Sequence, residues 1–208
     1  MFKKRLIGGI IVKNNLAIQS IGYKNYLPLG KPEIIAKNLD RWRADEILLN
    51  IIDRSKFNLE PNYEVLENIK TMNIRTPLIY GGGISSVFSA KKVIALGADR
   101  IILESVVEKD FIEFKRITDA IGSQSIIVSM PVSINNKNEL IYYDYKKREE
   151  KKISKNLINA IDNNLFSELI LIDYKNQGLM KGFNQKILKI FPYKIPLILY
   201  GGIYGEKN

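Results

Sequence analysis

Short apolar runs alternate with amphipathic stretches along the whole chain. The runs cover residues 5–12, 46–51, 77–80, 100–103, 125–130, 168–172 and 196–200, and most are rich in Ile, Leu and Val. Each has the length of a strand, and an unbroken apolar run of that length suits a strand buried on both faces. Helical spacing marks the segments between them at 32–42, 63–72, 86–96, 110–121, 154–163 and 185–190. Ser85 and Ser86 are candidate N-caps of the third helix, and Gly97 closes it. Repeated strand–helix units predict a parallel sheet with helices packed outside it. No Pro/Gly/Ser-rich linker divides the 208 residues, so one domain spanning 1–208 is expected.

The pattern also repeats. Thr76-Pro-Leu-Ile-Tyr-Gly-Gly-Gly-Ile84 returns as Ile195-Pro-Leu-Ile-Leu-Tyr-Gly-Gly-Ile203, and Glu46-Ile-Leu-Leu returns as Glu168-Leu-Ile-Leu. Both pairs are separated by about 120 residues, which predicts two homologous halves, 1–122 and 123–208. Four strand–helix units per half make a (β/α)8 barrel of the TIM type. Seven strands are found, and Gly201-Gly202 is followed by a tail too short for another unit. The expectation is therefore a C-terminally incomplete barrel, lacking its last helix–strand–helix, with an open seam between the first and seventh strands.

Composition narrows the chemistry. There is no cysteine, hence no disulfide, and no histidine, so His-based triads and thiolate or imidazole metal sites are excluded. Neither metal nor cofactor is expected, and proton transfer must fall to Asp, Glu, Lys or Tyr. The net charge of +10 suits phosphorylated ligands or an acidic partner. No nucleic-acid motif accompanies it, and the basic run at 146–152 reads as a solvated hairpin or loop. No run is long enough to cross a membrane, the basic start lacks a cleavage site after its apolar stretch, and a cytoplasmic location is expected.

Glycines at strand C-termini are the first candidate site. Tyr80-Gly-Gly-Gly-Ile84 ends one strand and precedes a helix, where backbone amides can hold phosphate oxygens. Gly82 and Gly83, their echoes Gly201 and Gly202, and Gly178 suggest phosphate sites on opposite sides of one barrel mouth. A purely structural role as tight turns is the competing explanation.

Lys4-Arg5-Leu-Ile, Val12-Lys13, the 81–84 glycine run, Leu96-Gly-Ala-Asp99, Gly122-Ser-Gln-Ser125, Met180-Lys-Gly182 and Gly201-Gly202 stand in the order and spacing of the HisF family. The chain resembles that family, the cyclase subunit of imidazole glycerol phosphate synthase, over its whole length. Pro61-Asn-Tyr-Glu-Val-Leu66, Tyr80 and Met180-Lys181-Gly182 look closer to a HisF-like branch associated with amidation of surface-glycan sugars.

The resemblance implies a glutaminase (HisH-like) partner whose ammonia enters the barrel floor through a ring of four charges. Arg5, Glu46, Arg100 and Glu168 match that ring, with Arg100 where the family has Lys. A structural salt-bridge ring would look the same. It also implies two aspartates as cyclase acid and base, but Ile11 and Pro131 occupy those positions. The family's Asn-Thr pair after the fourth strand reads Glu104-Ser105; Ser105 is a candidate phosphate ligand, whereas Glu104 repels phosphate. The family's Asp-x-Asp-Gly-Thr loop reads Lys175-Asn-Gln-Gly-Leu179, and the acid ending the second strand reads Ile51, with Asp53 two residues later.

These features leave three functional expectations. One is an ammonia-receiving subunit serving a sugar-amidating synthetase, with its cyclase acids lost. Another is a genuine cyclase of histidine biosynthesis in which Asp53, Glu104 or Asp144 replaces the lost acids. The last is an inactive remnant or partner-binding scaffold.

Overall fold

A computed structural model describes residues 4–205, so the basic start before Lys4 and the tail after Gly205 lie outside the described residues. In chain order the elements are β1 (Ile7–Lys13), β2 (Leu16–Ile21), β3 (Asn25–Gly30), α1 (Pro32–Arg41), β4 (Glu46–Ile51), α2 (Ile52–Lys56) and α3 (Tyr63–Thr71). They continue with β5 (Leu78–Gly81), α4 (Val87–Ala95), β6 (Arg100–Leu103), α5 (Ser105–Lys109), α6 (Phe111–Ile121) and β7 (Ile126–Ile134). The remainder is β8 (Leu140–Asp144), β9 (Glu149–Lys151), α7 (Lys155–Asp162), β10 (Glu168–Asp173), α8 (Gln185–Ile190) and β11 (Leu197–Tyr200).

Seven strands, β1, β4, β5, β6, β7, β10 and β11, pair parallel in sequence order, as an incomplete TIM-type barrel requires. They coincide with the seven apolar runs to within a few residues. β11 pairs with β10 alone among the described residues, and all four of its residues are only half-buried. At the seam a Cβ placed on Gly9 of β1 would lie 3.3 Å from the ring of Tyr200, so that ring leans across the gap.

Two antiparallel hairpins extend the sheet, of which β2–β3 was not anticipated and β8–β9 was anticipated only as a solvated hairpin or loop at its basic turn. β2 and β3 follow β1 and pair back onto it, and β8 and β9 extend β7. The basic stretch at 146–152 is thus a hairpin, as expected, but it is not free in solvent. Lys151 pairs with Glu108 at 3.3 Å and with Asp144 at 3.2 Å, tying the hairpin to α5.

Side chains alternate across each strand with period two. Ile47, Leu49, Tyr80, Ile101, Leu103, Ile126, Val128, Leu169 and Leu171 face the helices and form the main core with Leu66, Ile69, Phe114 and Ile117. Leu48, Ile79, Ile102, Ile127, Ile170 and Ile172 point the other way and form a second core inside the barrel.

Helix ends follow their capping chemistry. Ser86 accepts from the Ser89 amide at 3.2 Å and forms a capping box with it, whereas Ser85 stands outside the cap and donates its amide to Ser89 Oγ. Gly97 adopts a φ of +110°, as a residue closing a helix does. Asp110, Ser154 and Asn62 cap α6, α7 and α3.

Tyr80 has a role beyond the core. It is fully buried, and its hydroxyl accepts the Asn62 amide at 2.7 Å, holding the α3 entry loop against β5. Tyr80→Phe should strand that buried N–H and destabilise the protein by about 1–3 kcal/mol, read as a lower urea midpoint with an unchanged m-value.

Candidate functional site

The two barrel ends have different chemistry because alternation carries each inner row from floor to mouth. On β4 the inner row is Glu46, Leu48, Asn50; on β6 it is Arg100 and Ile102, continued by Glu104 just past the strand; on β10 it is Glu168, Ile170, Ile172. On β1 and the residues before it, Arg5, Ile7, Gly9 and Ile11 follow one another.

At the floor the four expected charges meet in a closed ring. Arg100 binds Glu46 at 2.5 Å and also binds Glu168; Arg5 binds Glu46 at 3.2 Å and also binds Glu168. Arg100 and both glutamates are largely buried, while Arg5 remains 43% exposed toward the outer side. Each cation touches both anions, so the charges compensate one another without a fifth group. Directly above them lies the apolar inner core.

At the mouth the inner rows end in a cavity lined by Ile11, Asn50, Glu104, Ser129 and Ile172, with Tyr200 on the β11 side. Ile11 sits in the wall, and Pro131 is paired with Ile172. The cavity thus meets hydrocarbon at Ile11, one of the two positions where the resemblance calls for an acid or base, and Pro131 lies buried in β7 beside cavity-lining Ile172. Tyr23, Tyr143 and Tyr174 cluster at the top: Tyr143 stacks on Tyr174 at 4.2 Å, and Tyr23 meets both edge-on. Tyr143 comes from β8 and Tyr23 from the turn between β2 and β3, so the two hairpins roof the site.

Glu104 is the carboxylate at the end of the β6 inner row. Tyr142 donates to its Oε1 at 2.9 Å, and the Ser129 hydroxyl also bonds to it. Burial raises its carboxyl to about 7, against the lowering effect of those two bonds and the neighbouring Lys146 charge. Asp144, by contrast, is held by the Lys146 and Lys147 amides and by Lys151, and its carboxyl is lowered. Asp53 lines the cavity but accepts the Asn14 amide at 2.7 Å. Of the three acids named as replacements, Glu104 lines the cavity with a carboxyl raised toward neutrality.

A side cavity adjoins the mouth, lined by Gly83, Ser85, Ser105, Ser55, Lys109 and Lys146. Burial and the nearby Lys109 lower the Lys146 amine to about 8. Two amines against one carboxylate, Asp110, in a polar hollow lined by serines leave a net positive site suited to an anion.

The glycines sit on the same rim, but their geometry answers first to backbone packing. A Cβ on Gly82 would lie 2.3 Å from the Ile51 carbonyl oxygen, and one on Gly201 would lie 2.6 Å from that of Asp173. Gly83 donates its amide to Ser55 Oγ at 3.0 Å, and a Cβ on Gly178 would meet the Ser20 carbonyl at 2.4 Å. Gly202 exchanges contacts with Gly182, whose amide it accepts at 2.9 Å. Gly82 lines the main cavity and Gly83 and Ser105 the side cavity, whereas Gly178, Gly201 and Gly202 line neither.

Sequence reasoning missed Asn50, Ser129 and the tyrosine roof. The first two had a signal: each is a lone polar residue on the inner period of an apolar run. The tyrosines had none, because only the hairpins bring them together.

With this geometry in view, comparison with known proteins identifies the class. The model of the family described as histidine biosynthesis protein matches residues 5–207. The chain belongs to that family. A relative from Vibrio vulnificus, provisionally named imidazole glycerol phosphate synthase subunit hisF2, is 31% identical across 98% of this chain and 75% of its own length. One from Campylobacter jejuni with the same provisional name is 30% identical across 98% of this chain and 81% of its own. The imidazole glycerol phosphate synthase subunit HisF of Campylobacter lari is 27% identical across 100% of this chain and 84% of its own.

Two outcomes follow from the site's geometry. Gly82→Ala should destabilise the fold by about 2 kcal/mol or more in urea unfolding, since its Cβ would collide with fixed backbone. Glu104 ionises near 4.5 in the unfolded chain and at about 7 in the folded one. Between those values the folded state holds the extra proton, so the stability that Glu104 contributes falls as pH rises and levels off above about 7. Stability of Glu104→Gln should therefore improve relative to wild type across that interval; parallel curves would remove the raised carboxyl from the account.

Proposed function

We infer that this chain is the barrel subunit of a glutamine-dependent ammonia-transfer pair. A glutaminase docks beneath Arg5, Glu46, Arg100 and Glu168, and its ammonia crosses the floor into the barrel. The observation that carries this reading is the pairing of a complete four-charge floor with an apolar interior, beneath a mouth that has Ile11 and Pro131 at the cyclase acid positions. Ammonia, small and neutral, passes through apolar surroundings more readily than ammonium, whose burial is strongly unfavourable. Glu46 and Glu168 can receive the ammonium form at the outer side, with Arg5 the exposed member of the ring.

The mouth holds a phosphorylated small molecule, with the phosphate over Gly83 and Ser105 in the side cavity that Lys109 and Lys146 face. A second anion position at Gly178, Gly201 and Gly202 is the weaker part of the reading, because close backbone packing already accounts for those glycines. Without the two cyclase aspartates, the ammonia is passed to a sugar-amidating synthetase of glycan assembly in the cytoplasm. No helix among the described residues is long and apolar enough to cross a membrane. A second reading, the cyclase of histidine biosynthesis, is favoured by one observation: Glu104 ionises in the range that proton transfer at neutral pH needs.

The decisive measurement is the activity of a HisH-like glutaminase with and without this chain. Stimulation and co-purification are expected, and Glu168→Gln, which leaves two guanidiniums on one carboxylate, should cut the stimulation by about tenfold or more. No complex and no stimulation would overturn the reading. Ammonia-dependent cyclisation by the pure chain would establish the second one instead.

A further inference from the structure

Glu104 is a carboxylate without a counter-ion in contact. Its two bonding partners, Tyr142 and Ser129, are neutral, and Lys146 acts on it through charge without a hydrogen bond. Ile102 and Tyr145 line the cavity with it, Asp144 adds a like charge, and the other charged groups of the same wall, Lys13, Lys56, Arg148 and Asp53, make no hydrogen bond to it. Two neutral hydrogen bonds do not replace the lost hydration of a carboxylate, which is why its carboxyl sits near neutrality rather than in the usual acidic range. The side cavity carries two amines: Lys109 and Lys146 lie within hydrogen-bonding reach of one another and line it together with Ser55, Ser85, Ser105 and one carboxylate, Asp110. Ser105 follows Glu104 in the chain and lines both cavities, so the unpaired carboxylate and the lysine pair adjoin.

We propose that the mouth takes a ligand with a phosphate at one end and a protonated amine at the other, the phosphate between Lys109 and Lys146 and the ammonium on Glu104. The amine supplies the cation that Glu104 lacks, and the phosphate relieves the repulsion between the lysines. A ligand with phosphates at both ends is selected against, because one of them would meet the carboxylate. The class is an aminated sugar phosphate or aminoalkyl phosphate. The inference rests on the reading of the side cavity as a phosphate site and adds the group at the other end.

The test is calorimetric titration of the full chain with aminoalkyl phosphates and with alkyl phosphates of equal chain length. At about pH 8 the amine-bearing series should bind about tenfold tighter, the worth of one charge-assisted contact. That advantage should shrink as pH falls through about 7, where Glu104 takes up its proton. The alkyl series corrects for titration of the phosphate itself and of Lys146, and Tyr142 and Asp144 keep their charge over this range. Glu104→Gln, checked for folding by thermal unfolding, should abolish the advantage without weakening the alkyl series. Lys146→Met should weaken both series alike. Equal affinities in the wild-type protein, or an advantage that survives in Glu104→Gln, would overturn the amine inference while leaving the phosphate site standing. Failure of both series to bind would overturn the two together, with the glutaminase result unaffected.

Discussion

The ring of Arg5, Glu46, Arg100 and Glu168 fixes which residues reach the barrel mouth. Four partly buried charges at one level are tolerable only when every cation touches an anion. Once they are paired, period-two alternation leaves no freedom above them. Leu48, Ile102 and Ile170 must form the next inner layer, and Asn50, Glu104 and Ile172 the one after. A slip of one residue on any of these strands would drive its floor charge into the layer of Leu66, Ile69, Phe114 and Ile117. The floor therefore acts as a register pin, and the composition of the mouth is read two and four residues downstream of it.

This coupling explains how the ends can diverge independently. Replacing acids at Ile11 and Pro131 with hydrocarbon removes proton-transfer groups without touching a salt bridge, so neither the ring nor the inner core is disturbed. Placing Glu104 where the family has Asn adds a charge at the mouth that the ring cannot compensate. The compensation is local: Tyr142 and Ser129 hold the carboxylate, and the hairpin that delivers Tyr142 is itself anchored through Lys151 to Glu108 and Asp144. Floor and mouth thus answer to separate interactions on shared strands.

Much of the architecture was legible from the sequence because it rests on local signals. Apolar runs gave the seven parallel strands, Ser86 and Gly97 bounded α4 through ordinary capping, and the repeat related the glycine turns before any contact was known. The four floor charges were legible through family resemblance, and the alternation then agreed with it. The hairpins were for the most part not legible. β2–β3 and β8–β9 are short, polar on one side and antiparallel, and the basic residues at 146–152 have the composition of a solvated loop. The glycines were found for an incomplete reason: the carbonyls of Ile51, Ser20 and Asp173 that exclude a Cβ come from distant segments. Glu104 was read as a repellent for phosphate and as one of three acids that could replace the lost pair; what distinguishes it from the other two was hidden, since Tyr142, 38 residues on, and the burial that shifts its carboxyl depend on tertiary structure.

Glu104 therefore carries more weight than its single position suggests. A site under selection for stability alone would replace an incompletely compensated carboxylate with Asn or Gln, either of which could accept from Tyr142 without the burden of a buried charge. A residue that violates the local rule, yet is surrounded by groups arranged around it, is the mark of a functional position. The same reasoning separates it from Asp144, whose amide bonds and lysine partner account for its charge completely. It also separates Glu104 from Glu46 and Glu168, which are balanced by the ring. Among these carboxylates, Glu104 alone has no cation in contact with it, and it faces the cavity at the mouth.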